Sequence, residues 1–267
     1  PGAAIAPTPI THLAVIGTGV MGGGIAELAT RQGITVRLRD VRPESIQTAL
    51  DTLERILAER GRRRRARPGE AEGQRARLLP TLELSGLARA GLVLEAVVED
   101  LAVKHRVLAE LESCIAPGTL LATNTSSLRV DDLAAPLAHP ERFVGVHFFN
   151  PVHRMPLVEV VRGARTSDAA LVAAVAFARR LEKTPVVVKD SPGFLVNRVL
   201  MPYLREAMHL LEEGDTIADI DAAMLTDELV PLGATPVALA GRMICGYLCC
   251  HSSCHWRNNC CCCNSSS

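Results

Sequence analysis

Short apolar runs alternate with longer amphipathic stretches along most of the chain. Residues 12–16 form an apolar run that ends at Gly17. Residues 20–32 then carry apolar positions at helical spacing, and residues 34–38 return to a short apolar-rich run. This reads as strand, turn, helix, strand. Residues 43–79 are helical and heavily charged, broken at Gly61 and Pro68-Gly69 into a helical hairpin. Further strands are expected at 92–97, 120–123, 143–149, 157–161 and 185–188, with helices over 101–114 and 168–181. Strands alternating with helices imply an α/β fold with a doubly wound, mostly parallel sheet. Asp190-Ser191-Pro192-Gly193 is a turn signal, and residues 194–213 continue as one long helix with no strand after it. The expected organisation is an N-terminal flank (1–11), a sheet domain (12–189), a smaller all-α domain (190–244) and a Cys-rich tail (245–267).

The first turn carries chemistry. Gly17-Thr18-Gly19-Val20-Met21-Gly22 satisfies G-x-G-x-x-G between a strand and a helix, the context that gives this fingerprint its physical meaning. Gly17 permits the tight turn, Gly19 lets the backbone approach a pyrophosphate, and Gly22 lets the helix pack closely on the sheet. The helix start, with Val20 and Met21, then offers N–H groups to the diphosphate. Asp40 ends the second strand, where a carboxylate accepts hydrogen bonds from an adenosine ribose and repels a 2′-phosphate. These features make the sheet domain Rossmann-type and its cofactor NAD. Arg39 and Arg42 flank Asp40 and are the residues that would instead favour NADP.

Composition narrows the remaining classes. Among 267 residues, 48% are hydrophobic, and 29 basic and 29 acidic side chains leave a formal net charge of zero. A chain of this size buries a large core, and its charge supplies no global attraction for nucleic acid or an anionic membrane. The Arg62–Arg65 run reads as a solvated helix end, and no aromatic side chains interleave with it as a nucleic-acid site would need. No apolar run is long enough to span a membrane, and the Pro-rich start lacks the layout of a secretory signal. A cytoplasmic protein is expected. Of nine cysteines only Cys114 precedes Cys245. The tail reads either as a metal or disulfide knot or as a shifted reading frame; its Cys and His spacing fits no zinc pattern, and no metal site is assigned.

A second constellation lies downstream. The strand over 143–149 carries His147, and the next strand carries Glu159. An imidazole can take a hydroxyl proton near neutrality, while a carboxylate on its other nitrogen fixes the tautomer and stabilises the imidazolium. Taken alone, a histidine in an apolar strand is more simply a satisfied core residue.

Several separated motifs together resemble the L-3-hydroxyacyl-CoA dehydrogenase family: residues 17–26, Leu94-Glu95-Ala96-Val97-Val98-Glu99-Asp100, His147-Phe148-Phe149-Asn150-Pro151, Pro156-Leu157-Val158-Glu159-Val160, and residues 190–198. The resemblance runs from about residue 12 to 223, in the family's order. Residues 150–155 look most like the dehydrogenase region of multifunctional fatty-acid oxidation proteins. The resemblance implies NAD-dependent oxidation of L-3-hydroxyacyl-CoA to 3-oxoacyl-CoA in fatty-acid β-oxidation. It makes His147 the general base, Glu159 its partner, and Ser126 and Asn197 hydrogen-bond donors to the reacting oxygen. It also adds Glu99, Lys104 and Asn124 to the NAD contacts and places the helical hairpin beside the CoA moiety. Fused or associated hydratase and thiolase subunits and a homodimer follow as expected partners. Simpler readings exist: Ser126 and Ser127 as helix caps, Glu99 as a solvated charge. A 3-hydroxyisobutyrate-type dehydrogenase would instead rely on a lysine such as Lys183 or Lys189.

The resemblance fades at about Met243. Residues 231–240 echo the helical core of the family's second domain, which is therefore expected to be incomplete here. The chain begins with Pro rather than Met, which fits a piece of a longer polypeptide with a hydratase/isomerase domain before it. An inactive fragment that still binds NAD is the alternative function.

Overall fold

The computed structural model describes residues 8–62 and 69–226. Among the described residues eight strands form one sheet: β1 (His12–Ile16), β2 (Thr35–Arg39), β3 (Leu78–Thr81), β4 (Leu92–Glu95), β5 (Leu120–Thr123), β6 (Phe143–Phe148), β7 (Leu157–Arg162) and β8 (Thr184–Lys189). Their order is β3-β2-β1-β4-β5-β6-β7-β8. Every pairing is parallel except β6 with β7. The chain leaves β1 toward β2 and β3 and resumes at β4 on the other side of β1. That reversal opens a crevice beyond the carboxyl ends of β1 and β4.

Both faces of the sheet are covered, so its strands read as continuous apolar runs rather than alternating ones. Leu13 and Val15 of β1 face one core layer, with α1 (Val20–Arg31), α2 (Pro43–Arg62) and α6 (Asp168–Arg180) packed on it. Ala14 and Ile16 face the opposite layer, built on α4 (Leu101–Cys114) and α5 (Val130–Leu133). A short α3 (Glu70–Ala76) completes the hairpin region. Asp100 caps α4 by accepting a hydrogen bond from Val103 N–H, and Ser167 caps α6 through Ala170 N–H.

The expected Rossmann-type sheet is present, with two local differences. The charged helical reading over 43–79 ends earlier, and Leu78–Thr81 is instead the edge strand β3. Pro80 hides that strand from a sequence reading, because proline lacks the N–H of an interior strand and is accommodated at sheet edges. β4 ends at Glu95 rather than at residue 97.

The chain divides into two compact units after Leu195, so the Asp190–Gly193 turn belongs to the first. In the second unit, α7 (Val196–Glu213) and α8 (Ile217–Thr226) are joined through Gly214 at φ +107°. Ala207 of α7 and Ile220 of α8 form a small core with Tyr203 and Leu210. The Cys-rich tail and the remainder of the expected helical domain lie outside the described residues.

Candidate active site

The glycine turn sits at the crevice. Gly17 adopts φ +100°, and a Cβ there would meet Ala96 O at 2.5 Å. A Cβ on Gly22 would lie 1.9 Å from Gly17 O, so the first turn of α1 rests directly on the loop that precedes it. Gly19 meets nothing within 4 Å. It is the N-cap of α1 and supplies no side-chain cap, so the N–H groups of the first helical turn are left to an external acceptor. The turn is closed where packing requires it and open where a diphosphate would approach, which fits a dinucleotide. Val20, at the head of α1, is 76% exposed.

Asp40 stands beside this turn. Its Oδ2 accepts hydrogen bonds from Thr18 N–H and Thr18 Oγ1, each at 2.9 Å, and Oδ1 accepts from Arg42 N–H at 3.1 Å. Burial pushes this carboxyl up, but the bonds from Thr18, Arg42 and Val41 outweigh it and hold it below the usual aspartate value. It is a fixed negative charge where the resemblance places the ribose. Asp40→Ala is expected to raise the KM for NAD about tenfold or more, the worth of a charged hydrogen bond. Arg39 and Arg42 remain, so the same variant should narrow the preference over NADP; steady-state kinetics with both cofactors checks this.

Glu95, Glu99 and Lys104 form a charged group at the ends of β4 and β5. Lys104 is 1% and Glu95 0% exposed, with Lys104 Nζ 2.7 Å from Glu95 Oε1 and 3.3 Å from Glu99 Oε2. The resemblance placed Lys104 on the dinucleotide; the structure turns its ammonium onto these carboxylates and Val97 O. Glu99 is no loose surface charge. Its Oε1 accepts from Thr125 Oγ1 at 2.5 Å, Ser126 N–H at 2.9 Å, and Ser127 N–H at 3.0 Å. Burial raises the Glu99 carboxyl, and Lys104 with these donors brings it net below the ordinary glutamate value. Ser126 thus lies on a turn organised by Glu99 rather than serving as a helix cap; the N-cap of α5 is Arg129. Asn124 Oδ1 accepts from Phe148 N–H at 3.0 Å, which fixes the end of β6.

His147 and Glu159 are direct partners across the antiparallel β6–β7 ladder. His147 Nδ1 lies 2.7 Å from Glu159 Oε2, with both residues buried. Glu159 Oε1 accepts from Leu195 N–H at 2.9 Å. With Nδ1 committed to the carboxylate, Nε2 is the nitrogen left for a substrate. The imidazole is walled by Phe149, with centroids 4.5 Å apart, and by Phe194 at 5.6 Å. Phe194 holds φ +50°, which is unusual for a non-glycine residue, and is 1% exposed. Sequence reasoning gave neither phenylalanine a role. The signal for Phe194 was a large apolar residue directly after Pro192-Gly193, where a solvent-exposed turn would carry a polar one. Asn197 belongs to the second unit, on the first turn of α7.

A cavity of about 850 Å³ adjoins the glycine turn, between α1, α2 and the loop after β6. Arg31, Arg55, Arg60, His153 and Arg154 line it, with Glu27. Burial holds His153 below the usual histidine value; Glu27 pulls the other way, and Arg154, Arg31 and Lys183 add to the lowering. Lys183 donates to Val152 O at 2.6 Å and Met155 O at 2.7 Å, so it clamps this loop and is not placed as a catalytic lysine. Among the described residues no group of His, Cys, Asp and Glu is arranged to hold a metal, and no helix is long and apolar enough to cross a membrane.

Residues 12–191 match the model of the 3-hydroxyacyl-CoA dehydrogenase NAD-binding domain, and residues 193–241 match the family's C-terminal domain. A fatty acid oxidation complex subunit alpha from Psychrobacter sp. (strain PRwf-1) is 43% identical over 215 residues, which are 80% of this chain and 30% of that protein. The chain thus spans about 30% of the length of that curated relative. Among solved structures, (S)-3-hydroxybutyryl-CoA dehydrogenase PaaH1 from Ralstonia eutropha superposes with a TM-score of 0.83 at 33% identity, over 88% of this chain and 83% of that one. FadB2 of M. tuberculosis gives a TM-score of 0.83 at 36% identity, with the same 88% and 83% coverage. With its motifs, its sheet and both domain models in agreement, the chain belongs to the 3-hydroxyacyl-CoA dehydrogenase family.

Proposed function

We propose that the protein oxidises the C3 hydroxyl of L-3-hydroxyacyl-CoA thioesters to the 3-oxoacyl thioesters of fatty-acid β-oxidation, with NAD as cofactor. The observation that carries this reading is the buried His147–Glu159 pair at 2.7 Å, on the same sheet as the glycine turn. Gly17, Gly19, Val20, Met21 and Gly22 would hold the diphosphate and Asp40 the ribose, with Glu99 and Asn124 toward the nicotinamide end. NAD, when bound, supplies the hydride acceptor.

His147 Nε2 takes the proton of the C3 hydroxyl, and Glu159 Oε2 stabilises the imidazolium that results. Glu159 is fixed from behind by Leu195 N–H, so the imidazole does not have to be oriented at the moment of reaction. Ser126 donates to the oxygen as it becomes a carbonyl, a role supported by its place on the Glu99-ordered turn. The role of Asn197 rests on the family resemblance alone. Phe149 and Phe194 keep water from the imidazole, and the basic lining of the cavity suits the phosphates of the CoA moiety.

The test is NADH formation from a 3-hydroxyacyl-CoA by the purified chain, followed by absorbance. Turnover supports the reading, whereas NAD binding without turnover favours the non-catalytic alternative. The Psychrobacter relative is named as a subunit of a complex, which supports association with other subunits; hydratase and thiolase partners or a homodimer rest on the family resemblance.

A further inference from the structure

The buried charge at the ends of β4 and β5 is not used by the mechanism above. We infer that Glu95 is a positioning residue for the reaction: through Lys104 it holds the Glu99 carboxylate and the turn that carries Ser126. The inference rests on the proposed roles of Ser126 and Glu99.

Glu95 has one fixed place. Its Oε1 accepts from Val97 N–H at 2.7 Å as well as from Lys104 Nζ. Its Oε2 accepts from Thr123 Oγ1 at 2.7 Å, and Thr123 is its direct partner in the β4–β5 register. The carboxylate is therefore anchored to β5 and to the loop after β4. Lys104 projects from the first turn of α4 into the same pocket, where Glu95 and Glu99 are its two carboxylate partners. The contact to Glu95 is the shorter, so Glu95 supplies most of the charge compensation that a buried ammonium requires.

The arrangement is negative, positive, negative. Glu99 spends Oε2 on Lys104 and Oε1 on the N–H groups of Ser126 and Ser127. With Glu95 present, Lys104 is shared and Glu99 stays on the serine turn. Without Glu95 the ammonium loses its anchor and pulls Glu99 off that turn; without Lys104 the Glu99 carboxylate loses the cation that fixes its Oε2, and the turn loosens as well. Filling core space does not call for this arrangement, because an apolar pair of similar volume would occupy the same positions at no electrostatic cost. What the charges add is a fixed distance between the carboxyl ends of β4 and β5 and the serine turn.

The experiment compares Glu95→Gln, Lys104→Met and the double variant in the full chain. It reads hydrogen exchange at the Ser126 and Ser127 amides and kcat for NADH formation. Each single variant is expected to lower protection of these two amides about tenfold and kcat by a similar factor, with the β1 amides unchanged. The double variant should lose no more than Lys104→Met does, because both act along one path. Unchanged protection, unchanged kcat in a protein that turns over, or additive losses would each overturn the relay. If Glu95→Gln does not fold, the double variant removes both buried charges together, and its comparison with Lys104→Met decides the same question. If the unaltered protein shows no turnover, the functional reading falls while amide exchange still decides whether Glu95 holds the turn.

Discussion

His147→Gln is expected to lower kcat about a thousandfold while leaving the dissociation constant for NAD within about twofold. Glutamine keeps a hydrogen-bond donor for the Glu159 carboxylate, so the buried acid is not stranded, yet an amide does not accept a proton at neutral pH. The imidazole lies on β6, whereas the glycine turn and Asp40 follow β1 and β2, with β4 and β5 between β1 and β6. Cofactor affinity should therefore be almost indifferent to the change. Stopped-flow kinetics with a 3-hydroxyacyl-CoA, paired with fluorescence titration of NADH, measures both quantities. A loss of less than tenfold in kcat would remove His147 from the role of general base.

Gly22→Ala should have the opposite signature. The new methyl would sit 1.9 Å from Gly17 O and 2.9 Å from Gly17 C, both backbone atoms of the phosphate turn. Neither can rotate away, so α1 must lift from the turn, and the N–H groups that face the diphosphate move with it. Overpacking of this kind costs about 1–3 kcal/mol, several degrees in Tm for a domain of this size. Affinity for NAD should fall at least a hundredfold by calorimetric titration, because the cradle itself is displaced. Gly23→Ala is the control: its Cβ would meet Ala49 Cβ at 3.6 Å, an ordinary contact. If both variants bound NAD equally well, close packing at Gly22 would not be what shapes the site.

Much of the first unit is legible in the chain because its determinants are local. A glycine turn between an apolar run and an amphipathic stretch writes β1, α1 and β2 into thirty consecutive positions or so. The histidine and its acid are also readable, since each sits in a strand with a simple apolar pattern. What escapes is set by distant partners. β3 contains Pro80 and acquires its pairing only when β2 is beside it. Lys104 stands among Val103, His105 and Arg106, a setting that reads as the polar side of a helix, and its burial depends on two carboxylates brought in by β4 and the following loop. A signal was nevertheless present: Glu95 ends an otherwise apolar strand, and an acid in that position needs a buried cation or several donors. Phe194 was hidden for a similar reason, since its place beside His147 is fixed by a left-handed turn rather than by periodicity.

The single antiparallel ladder among the described strands bears on how the protein can be altered. The spacing of His147 and Glu159 is set by backbone hydrogen bonds between β6 and β7, and the intervening loop carries none of that constraint. A slip of one residue would present Val158 or Val160 to the imidazole, and a slip of two would restore a face but not the acid. Loop length and dyad geometry are thereby separate variables. Substitutions at His153 and Arg154, which line the cavity beside the glycine turn, can therefore change the charge of that cavity while the His147–Glu159 register stays as it is.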